Sequence, residues 1–241
     1  MVQFYKIAGL TVKMDSFGKT VERAKKYLCE PTENVDIEIS SKVLAEEGFD
    51  INAHWPQFDD DEREHGATGG LFYRALLKFN GMKLHSSAVV VDGKAYLFTA
   101  NHGTGKSTHT GLWLKMFGDR AYILNDDKPA IRLEDGVWYA YGTPWSGKND
   151  ISVNAKVPLA GIAVVNRNET NEIERFTGIE AIHNIISQVN RPIKAEYRIK
   201  LMELLDNLVQ TVPIWKLKCN MDPEAAVVSY EAMSGEKVYE R

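Results

Sequence analysis

The sequence of 241 residues is poor in cysteine and has no long hydrophobic run. Its two cysteines, Cys29 and Cys219, are far apart and form no Cys-x-x-Cys motif, which excludes a disulfide scaffold and a cysteine zinc site. No apolar run approaches the roughly 20 residues of a membrane helix, and no basic segment leading into an apolar one opens the chain. We therefore expect a cytoplasmic protein with reduced thiols.

An excess of positive charge is also missing. The formal net charge is -4, with 29 Lys and Arg against 33 Asp and Glu. This balance provides no global basic field, so we expect neither nucleic acid nor a membrane as a partner. Hydrophobic residues make up 44% of the chain, enough for one large domain or a core with a small attachment. The sequence leaves open whether the chain forms a homo-oligomer.

The beginning of the chain alternates apolar and polar residues, in FYKIAGLTVKM and NVDIEIS, which predicts strands. We interpret residues 1–58 as a small β-rich N-terminal part and residues 59–241 as an α/β core. The segment 51–66, INAHWPQFDDDEREHG, is polar and aromatic and is predicted to be a loop, with its acidic run solvated. Amphipathic spacing predicts a helix directly after it.

Two Asp-Gly pairs predict β-hairpins in the core. The first, Asp92-Gly93, joins KLHSSAVVV to KAYLFTA, and the second, Asp135-Gly136, joins PAIRL to VWYAYGT. Further along, LAGIAVV and VPIWKLKC are predicted strands, and GIEAIHNIISQVN and AEYRIKLMELLDNLVQ are predicted amphipathic helices. A last helix is predicted in DPEAAVVSYEAM, with Asp222 as its N-cap.

The segment TANHGTGKSTHTGLW has the pattern of a phosphate-binding (Walker A) loop, with Ala100 in place of the usual first glycine. A predicted strand precedes the loop and a predicted helix follows it. Glycines allow backbone N–H groups to turn inward around an anion, while Lys106 adds a charge and Ser107 a hydroxyl for Mg²⁺. We predict that these residues bind a nucleotide: His102, Gly103, Thr104, Gly105, Lys106, Ser107 and Thr108.

An acidic pair, Asp126 and Asp127, follows the next predicted strand, AYILN. One carboxylate at this point is suited to bind Mg²⁺, and the other to accept the proton of an attacking hydroxyl. The alternative is a solvated turn, since Asn, Asp and Pro in NDDKP favour turns. The phosphate loop one helix and one strand earlier favours the catalytic interpretation.

The loop TPWSGKND is a further candidate. Lys148 is predicted to reach phosphate, or Trp145, expected to be exposed, to line the acceptor or base pocket; a plain hairpin loop is equally compatible with these residues. No Asn-Lys-x-Asp element is found, which disfavours a GTPase.

These residues resemble a known family. The stretch LHSSAVVVDGKAYLFTANHGTGKSTHTGLWLKMFGDRAYILNDDKPAIRL is similar to the kinase core of the HPr kinase/phosphorylase family. The tail VPIWKLKCNMDPEA is more weakly similar to compact HPr-kinase-like proteins. The resemblance implies an α/β fold: a phosphoenolpyruvate-carboxykinase-like P-loop kinase core with a mixed sheet and flanking helices.

The resemblance also implies roles for individual residues. Lys106 and its loop would bind ATP phosphates, Ser107 and Asp127 would hold Mg²⁺, and Asp126 would take the proton of the acceptor hydroxyl. His85 matches the family's histidine near the acidic pair and would orient that pair or sense acceptor phosphate; a structural histidine at a strand start is the alternative. The two aspartates could also exchange roles.

We therefore predict an ATP- and Mg²⁺-dependent phosphotransferase. The resemblance favours Ser or Thr of a small protein or peptide as the acceptor. The alternatives are a kinase of a small-molecule alcohol, such as a sugar or polyol, and a non-catalytic nucleotide-binding regulatory module. The Gly-rich signature of the HPr kinases proper is missing after the acidic pair, so neither phosphorolysis nor the HPr substrate is predicted. A small closed pocket beside Asp126 would favour a metabolite, and an open groove a peptide.

Overall fold

The structure is a computed structural model that describes residues 2–40, 57–190, 192 and 194–238. Within these ranges the strands form one three-stranded and one nine-stranded sheet, with helices on both faces of the larger one. None of the helices in these ranges has the length and apolar character needed to cross a membrane. The predicted mixed α/β architecture with flanking helices is confirmed.

The small sheet is built from the N-terminal segments predicted to be strands. Its members are β1 (Val2–Ile7), β2 (Leu10–Asp15) and β3 (Ile37–Ile39). β1 and β2 form an antiparallel hairpin, and β3 runs parallel to β2. Between β2 and β3 the chain forms helix α1 (Gly18–Ala24) and a 3₁₀ turn over Lys25–Tyr27.

The acidic run near residue 60 is helical, so the loop predicted for 51–66 is wrong from Asp60 onward; residues 51–56 lie outside the described residues. Helix α2 spans Asp60–Ala75 and continues as a 3₁₀ turn over Leu76–Phe79. Asp59 caps it by accepting a hydrogen bond from the Glu62 N–H at 2.8 Å. The carboxylates of the first turn also interact favourably with the positive end of the helix, so the acidity that indicated a loop stabilises a helix start.

The large sheet consists of two arms that share one long strand. Its strands are β4 (Gly81–Lys83), β5 (Ser86–Val91), β6 (Lys94–Thr99), β7 (Ala121–Asp127), β8 (Ala130–Glu134), β9 (Val137–Tyr141), β10 (Lys156–Arg167), β11 (Glu172–Arg175) and β12 (Ile214–Cys219). The first arm, in the order β4-β8-β9-β10, is antiparallel throughout. The second, β7-β5-β6-β10-β12-β11, is mixed, because β10 is parallel to both β6 and β12.

Both predicted hairpins are present. Asp92 and Gly93 have φ of +49° and +75°, and Asp135 and Gly136 have +49° and +79°. Positive φ at both central residues is what a type I′ turn requires, and this turn matches the twist of paired strands. The first hairpin places the end of β6, and with it the start of the phosphate loop, at the edge where β7 also ends.

The remaining helices cover the two faces of the mixed arm. They are α3 (Lys106–Phe117), α4 (Gly178–Ile185), α5 (Ala195–Thr211) and α6 (Glu224–Ser234). α3 and α6 share one apolar cluster with the sheet, and α4 and α5 share another on the opposite face. The last helix begins one residue later than predicted, because its N-cap is Pro223 and not Asp222. The Asp222 carbonyl accepts a hydrogen bond from the Ala225 N–H at 3.0 Å.

A third apolar cluster joins the N-terminal sheet to the rest of the molecule. It combines buried residues of β1, β2 and β3 with the inner side of α2, with Ala130 and Tyr141 of the antiparallel arm, and with Trp145 in the loop after β9. Residues on either side of position 58 therefore share one core. The division into 1–58 and 59–241 stays a prediction.

Candidate active site

The phosphate loop connects β6 to α3 in the predicted strand–loop–helix order. Gly103 and Gly105 have φ of +76° and +119°, a region that favours glycine. The Lys106 Nζ donates to the Ala100 carbonyl at 3.2 Å, so the lysine folds back over the loop. From β10, Arg167 donates to the carbonyls of Thr104 at 3.0 Å and Gly103 at 2.5 Å. The loop is thus braced from the side opposite its own helix.

Asp126 faces this loop. The Ser107 Oγ donates to its carboxylate, at 2.9 Å to Oδ1 and 3.2 Å to Oδ2. Its backbone is fixed as well, because its N–H donates to Ile151 O at 3.0 Å and its carbonyl accepts from the Gly147 N–H at 2.5 Å. The carboxylate that lies against the loop hydroxyl is therefore Asp126, whereas the resemblance pairs Ser107 with Asp127.

Asp127 faces the other way. Its Oδ1 lies 3.1 Å from His85 Nε2, and its Oδ2 lies 2.7 Å from Lys128 Nζ. Burial raises the pKa of this carboxyl, but the hydrogen bond from His85 and the charge of Lys128 outweigh burial and bring the pKa well below its usual range. The residue also has φ of +110°, a strained conformation for a residue with a Cβ. Strain of this kind is concentrated at functional sites.

His85 is held by Gln188, the last residue of the 3₁₀ turn that follows α4. Its N–H donates to the Gln188 carbonyl at 2.8 Å, and its Nδ1 lies 3.2 Å from Gln188 Oε1. The Thr99 hydroxyl donates to the His85 carbonyl at 2.8 Å. These contacts fix the ring so that Nε2 points at Asp127. His85 thus lies beside the acidic pair, directly before β5.

A cleft of about 700 Å³ brings most of the predicted site residues together. The predicted residues on its walls are His85, His102, Gly103, Gly105, Lys106, Ser107, Thr108, Asp126, Asp127 and Lys148. Thr104 lies outside this cleft and lines two cavities on the Arg167 side of the loop. Burial lowers the pKa of Lys106, and the two nearby carboxylates only partly oppose this effect.

The two cavities beside Thr104 differ in character. One, of about 350 Å³, lies between α3 and the ends of β10 and β12 and has apolar walls from Leu112, Val165 and Met221. The other, of about 560 Å³, is more polar and includes Asn166 and Gln188. The apolar cavity has the character of a site for a flat aromatic base next to a phosphate loop.

The oxygen atoms of Ser107 and Asp126 could hold a metal ion. Mg²⁺ is bound in proteins by one or two carboxylates together with substrate phosphates and water, rather than by a full cage of side chains. The described ranges contain no group of three or more His, Cys, Asp or Glu residues with metal-binding geometry. The donor set therefore fits a phosphate-associated Mg²⁺, and the residues present would supply only part of its coordination.

Trp145 does not have the exposure predicted for it. Its relative accessibility is 1%, and its ring stacks on Phe72 with centroids 4.8 Å apart. The indole Nε1 donates to Thr68 Oγ1 at 3.2 Å. Room for the ring comes from Gly69, where a Cβ would lie 2.8 Å from Trp145 Cδ1. The polar sequence around Trp145 does not indicate that Gly69, in a separate helix, leaves space for its ring.

Trp145 lines another cavity, of about 340 Å³, next to the cleft. Lys128 and Phe58 belong to both spaces, and Lys83 and His65 lie on the wall of the smaller one. Sequence reasoning missed all of these side chains. Only Lys128 had a signal, since it directly follows the acidic pair.

The loop TPWSGKND, which carries Lys148, is anchored by a residue of the N-terminal part. Arg23 of α1 donates to the Ser146 carbonyl at 2.7 Å and to the Lys148 carbonyl at 3.4 Å. Its guanidinium also lies 3.8 Å from the Asp150 carboxylate, whose Oδ1 accepts from Ser146 Oγ at 2.9 Å. The position of Lys148 at the cleft therefore depends on a buried arginine far away in sequence.

Comparison with known proteins adds little to this geometry. No protein-family model matches the chain, and no curated protein matches it either. Among solved structures, the Hpr(Ser) kinase/phosphatase from Coxiella burnetii is similar to it, with a TM-score of 0.34 and 11% sequence identity. The alignment covers 64% of this chain and 95% of that chain. A likeness of this strength carries no conclusion about the fold or the activity.

Proposed function

We propose that the protein is an ATP- and Mg²⁺-dependent phosphotransferase that moves the γ-phosphoryl group to an acceptor hydroxyl. The observation that carries this proposal is the opposite orientation of two adjacent carboxylates. Asp126 contacts Ser107 of the phosphate loop, and Asp127 contacts His85 and Lys128 on the far side. The sequence resemblance of this region to the HPr kinase core supports the same activity and a phosphoenolpyruvate-carboxykinase-like P-loop core.

On the donor side, the loop and the start of α3 would bind the phosphates of ATP. The glycine-rich loop, the positive end of the helix and Lys106 all favour a polyanion at this place. Ser107 and Asp126 would hold Mg²⁺, which when bound neutralises charge on the phosphates. Lys148 on the cleft wall adds a second cation that can approach the same groups.

On the acceptor side, Asp127 would receive the proton. The acceptor oxygen forms a bond to the γ-phosphorus, the bond from that phosphorus to the β–γ bridging oxygen breaks, and its electron pair leaves on ADP. The hydroxyl proton passes to Asp127 and then to solvent. In a loose phosphoryl-transfer transition state the base mainly orients the hydroxyl and accepts its proton late, so an ionised carboxylate in the right place can serve despite its low basicity. His85 and Lys128 keep this carboxylate ionised and aimed.

These assignments exchange the roles that the family resemblance implies for the two aspartates. The exchange was one of the alternatives left open by the sequence, and the contact between Ser107 and Asp126 supports it. The strained backbone at Asp127 supports a functional role for this residue in general, since unfavourable conformations are concentrated at active sites and ligand-binding positions.

The proposal is tested with ATP labelled at the γ-phosphate, Mg²⁺ and a panel of peptides and small alcohols. We expect label to move to one class of acceptor, with Lys106→Met lowering both ATP affinity and transfer. Lys115→Met, an exposed lysine on the same helix, is the matched control and should leave both unchanged. Tight ATP binding without transfer to any acceptor would instead indicate a non-catalytic nucleotide-binding module.

A further inference from the structure

The smaller cavity adjoins the acidic pair on the side away from the phosphate loop. It lies between helix α2, Trp145 and the strand end that carries Lys83. Lys128 forms part of its wall, and the ammonium of Lys128 lies 2.7 Å from Asp127. A molecule in this space that contacts Lys128 would therefore lie close to the carboxylate that we assign as the proton acceptor.

Lys83 is the first sign of what the cavity binds. Its ammonium has no hydrogen-bond or ion-pair partner among the described residues, although it is largely withdrawn from solvent. Burial and the charge of Lys128 lower its pKa to about 8, against the opposing influence of Asp127. The acidic side chain on this wall, Glu62, is directed to Lys19 at 4.0 Å. Two ammonium groups with one partner between them would be stabilised by an anion.

His65 is the second, independent sign. Its relative accessibility is 8%, its Nδ1 lies 3.1 Å from the Thr20 hydroxyl, and its Nε2 has no partner within the described ranges. Burial is the main reason that its pKa falls to about 3, so the ring is neutral. Thr20 also donates to Glu64, so with Glu64 ionised the threonine oxygen accepts from Nδ1–H. Nε2 is then a buried acceptor without a partner among the described residues, on a residue of the cavity wall.

We propose that this cavity is the acceptor site, and that the acceptor is a small molecule with an anionic group bound between Lys83 and Lys128 and a hydroxyl presented to Asp127. This inference rests on the proposed function. The volume of about 340 Å³ is at the small end of ligand pockets, which span about 300–1,000 Å³. A neutral polyol would leave Lys83 unpaired, as would a Ser or Thr peptide that has no acidic group near its hydroxyl.

A binding test needs no catalysis. Near pH 8 the partly deprotonated amine of Lys83 should react with an amine-acylating reagent ahead of exposed lysines such as Lys115, as read by mass spectrometry. Hydroxycarboxylates and polyol phosphates are the probes, each beside an uncharged analogue, for example glycerate and glycerol phosphate beside glycerol. We expect anionic members to protect Lys83 and uncharged ones not to. Protection by no anion of the panel would overturn the assignment.

A kinetic test connects the cavity to transfer. Lys83→Met should raise KM for the anionic acceptor by about ten- to a hundredfold, as loss of a charge-assisted hydrogen bond does, and leave the Kd of ATP unchanged. Lys83→Arg should restore most of the affinity, and Lys115→Met should change nothing. Transfer to a blocked Ser peptide or to glycerol as fast as to any anion, or an unchanged KM in Lys83→Met, would overturn the inference.

The two hypotheses fail in different ways. If the phosphotransferase proposal is wrong, anions still protect Lys83 but label from ATP reaches no acceptor. If the acceptor assignment is wrong, label is transferred and the transfer does not depend on Lys83. Carboxylate and phosphate probes separate the two sources of negative charge.

Discussion

The two sides of the acidic pair are built in different ways. The donor side is made mostly of one continuous segment, in which the loop after β6 leads into α3 and Ser107 contacts Asp126 at the end of the next strand. The acceptor side is assembled from five separate places, with His65 in α2, Lys83 in β4, Lys128 after β7, and Trp145 and Phe58 in loops. The donor side can therefore be recognised from a sequence motif, whereas the residues of the acceptor side are too dispersed along the chain to form one.

The two sides also differ in what their polar groups contact. On the donor side, Lys106, Ser107 and Arg167 each have a protein partner. On the acceptor side, Lys83 and one nitrogen of His65 have none within the described residues. The donor side is therefore largely formed before it binds anything, while the acceptor side has binding capacity that only a ligand would use.

The largest expected effect separates the two aspartates. Asp127→Asn should lower kcat by roughly 10²–10⁴-fold, the usual contribution of a positioned general base, with KM for ATP little changed. Asp126→Asn should instead raise the Mg²⁺ concentration that gives half-maximal activity. Steady-state rates measured over a Mg²⁺ series distinguish the two variants. Equal effects of both substitutions on kcat and on Mg²⁺ dependence would remove the division that we describe.

The pH dependence of the free energy of unfolding reports on Glu64 and His65, two buried residues of α2. Burial raises the pKa of Glu64 to about 7, although Thr20 donates to it. Because the folded state holds this proton more tightly, the contribution of Glu64 to stability is present below pH 4.5 and is lost as pH rises to about 7, by up to about 3 kcal/mol. His65, with its pKa lowered, acts oppositely and costs stability as pH falls from 6.5 toward 3.

Glu64→Gln should therefore remove the loss of stability between pH 4.5 and about 7 and leave the acid-side loss caused by His65 in place. Urea denaturation at a series of pH values measures both. Glu203→Gln, an exposed glutamate of α5, is the control and should retain the wild-type profile. A Glu64→Gln profile identical to that of the wild type would show that this carboxyl titrates normally.

A smaller effect is expected where the N-terminal part meets the donor side. Arg23→Met removes the donor to the Ser146 carbonyl and should lower the free energy of unfolding by about 2 kcal/mol, as loss of a buried charged hydrogen bond does. It should also raise KM for ATP several-fold, because Lys148 loses its anchor. Lys25→Met, exposed on the following turn, should alter neither quantity. Loss of stability without any change in KM would separate Arg23 from the cleft.

The smallest effect uses two adjacent glycines of α2. Gly69→Ala would place a Cβ 2.8 Å from the Trp145 ring and should cost about 1–2 kcal/mol through overpacking, with weaker acceptor binding and unchanged ATP binding. At Gly70 a Cβ meets no atom within 4 Å, so Gly70→Ala should be neutral or stabilise the helix by up to about 1 kcal/mol. Thermal unfolding of the two variants gives the comparison, and equal shifts would contradict the packing argument.

The sequence allowed the local features to be predicted. The turns at Asp92-Gly93 and Asp135-Gly136 predicted both hairpins, because φ above zero at adjacent residues is strongly specified by residue type. The order strand, loop, helix, strand around Lys106 was also predicted, since spacing alone brings the acidic pair close to the loop. This order brings Lys106, Ser107 and the acidic pair to one cleft, but it does not indicate which of the two aspartates faces Ser107.

Features that depend on tertiary packing were not predictable in the same way. Asp60 begins a helix because Asp59 caps it, although its acidity alone indicated a solvated loop. Trp145 is buried because Gly69, on a separate helix, leaves space for it. Lys83 and His65 approach the acidic pair only after α2 and the antiparallel arm pack together. The spacing of Lys83, His65 and the acidic pair in the sequence does not indicate that they lie close together.

The position of β10 in both arms of the large sheet affects the order in which parts of the fold form during synthesis. The strand pairs with β6 in one arm and β9 in the other, and its last residue, Arg167, holds the carbonyl of Gly103 from 64 positions away in the chain. Contacts of such long range form late, because the entropy of closing the intervening chain must be overcome first. A nascent chain that has left the ribosome only as far as α3 therefore carries the phosphate loop without its brace. The loop therefore gains its two hydrogen bonds from Arg167 only after β10 has been synthesised and paired.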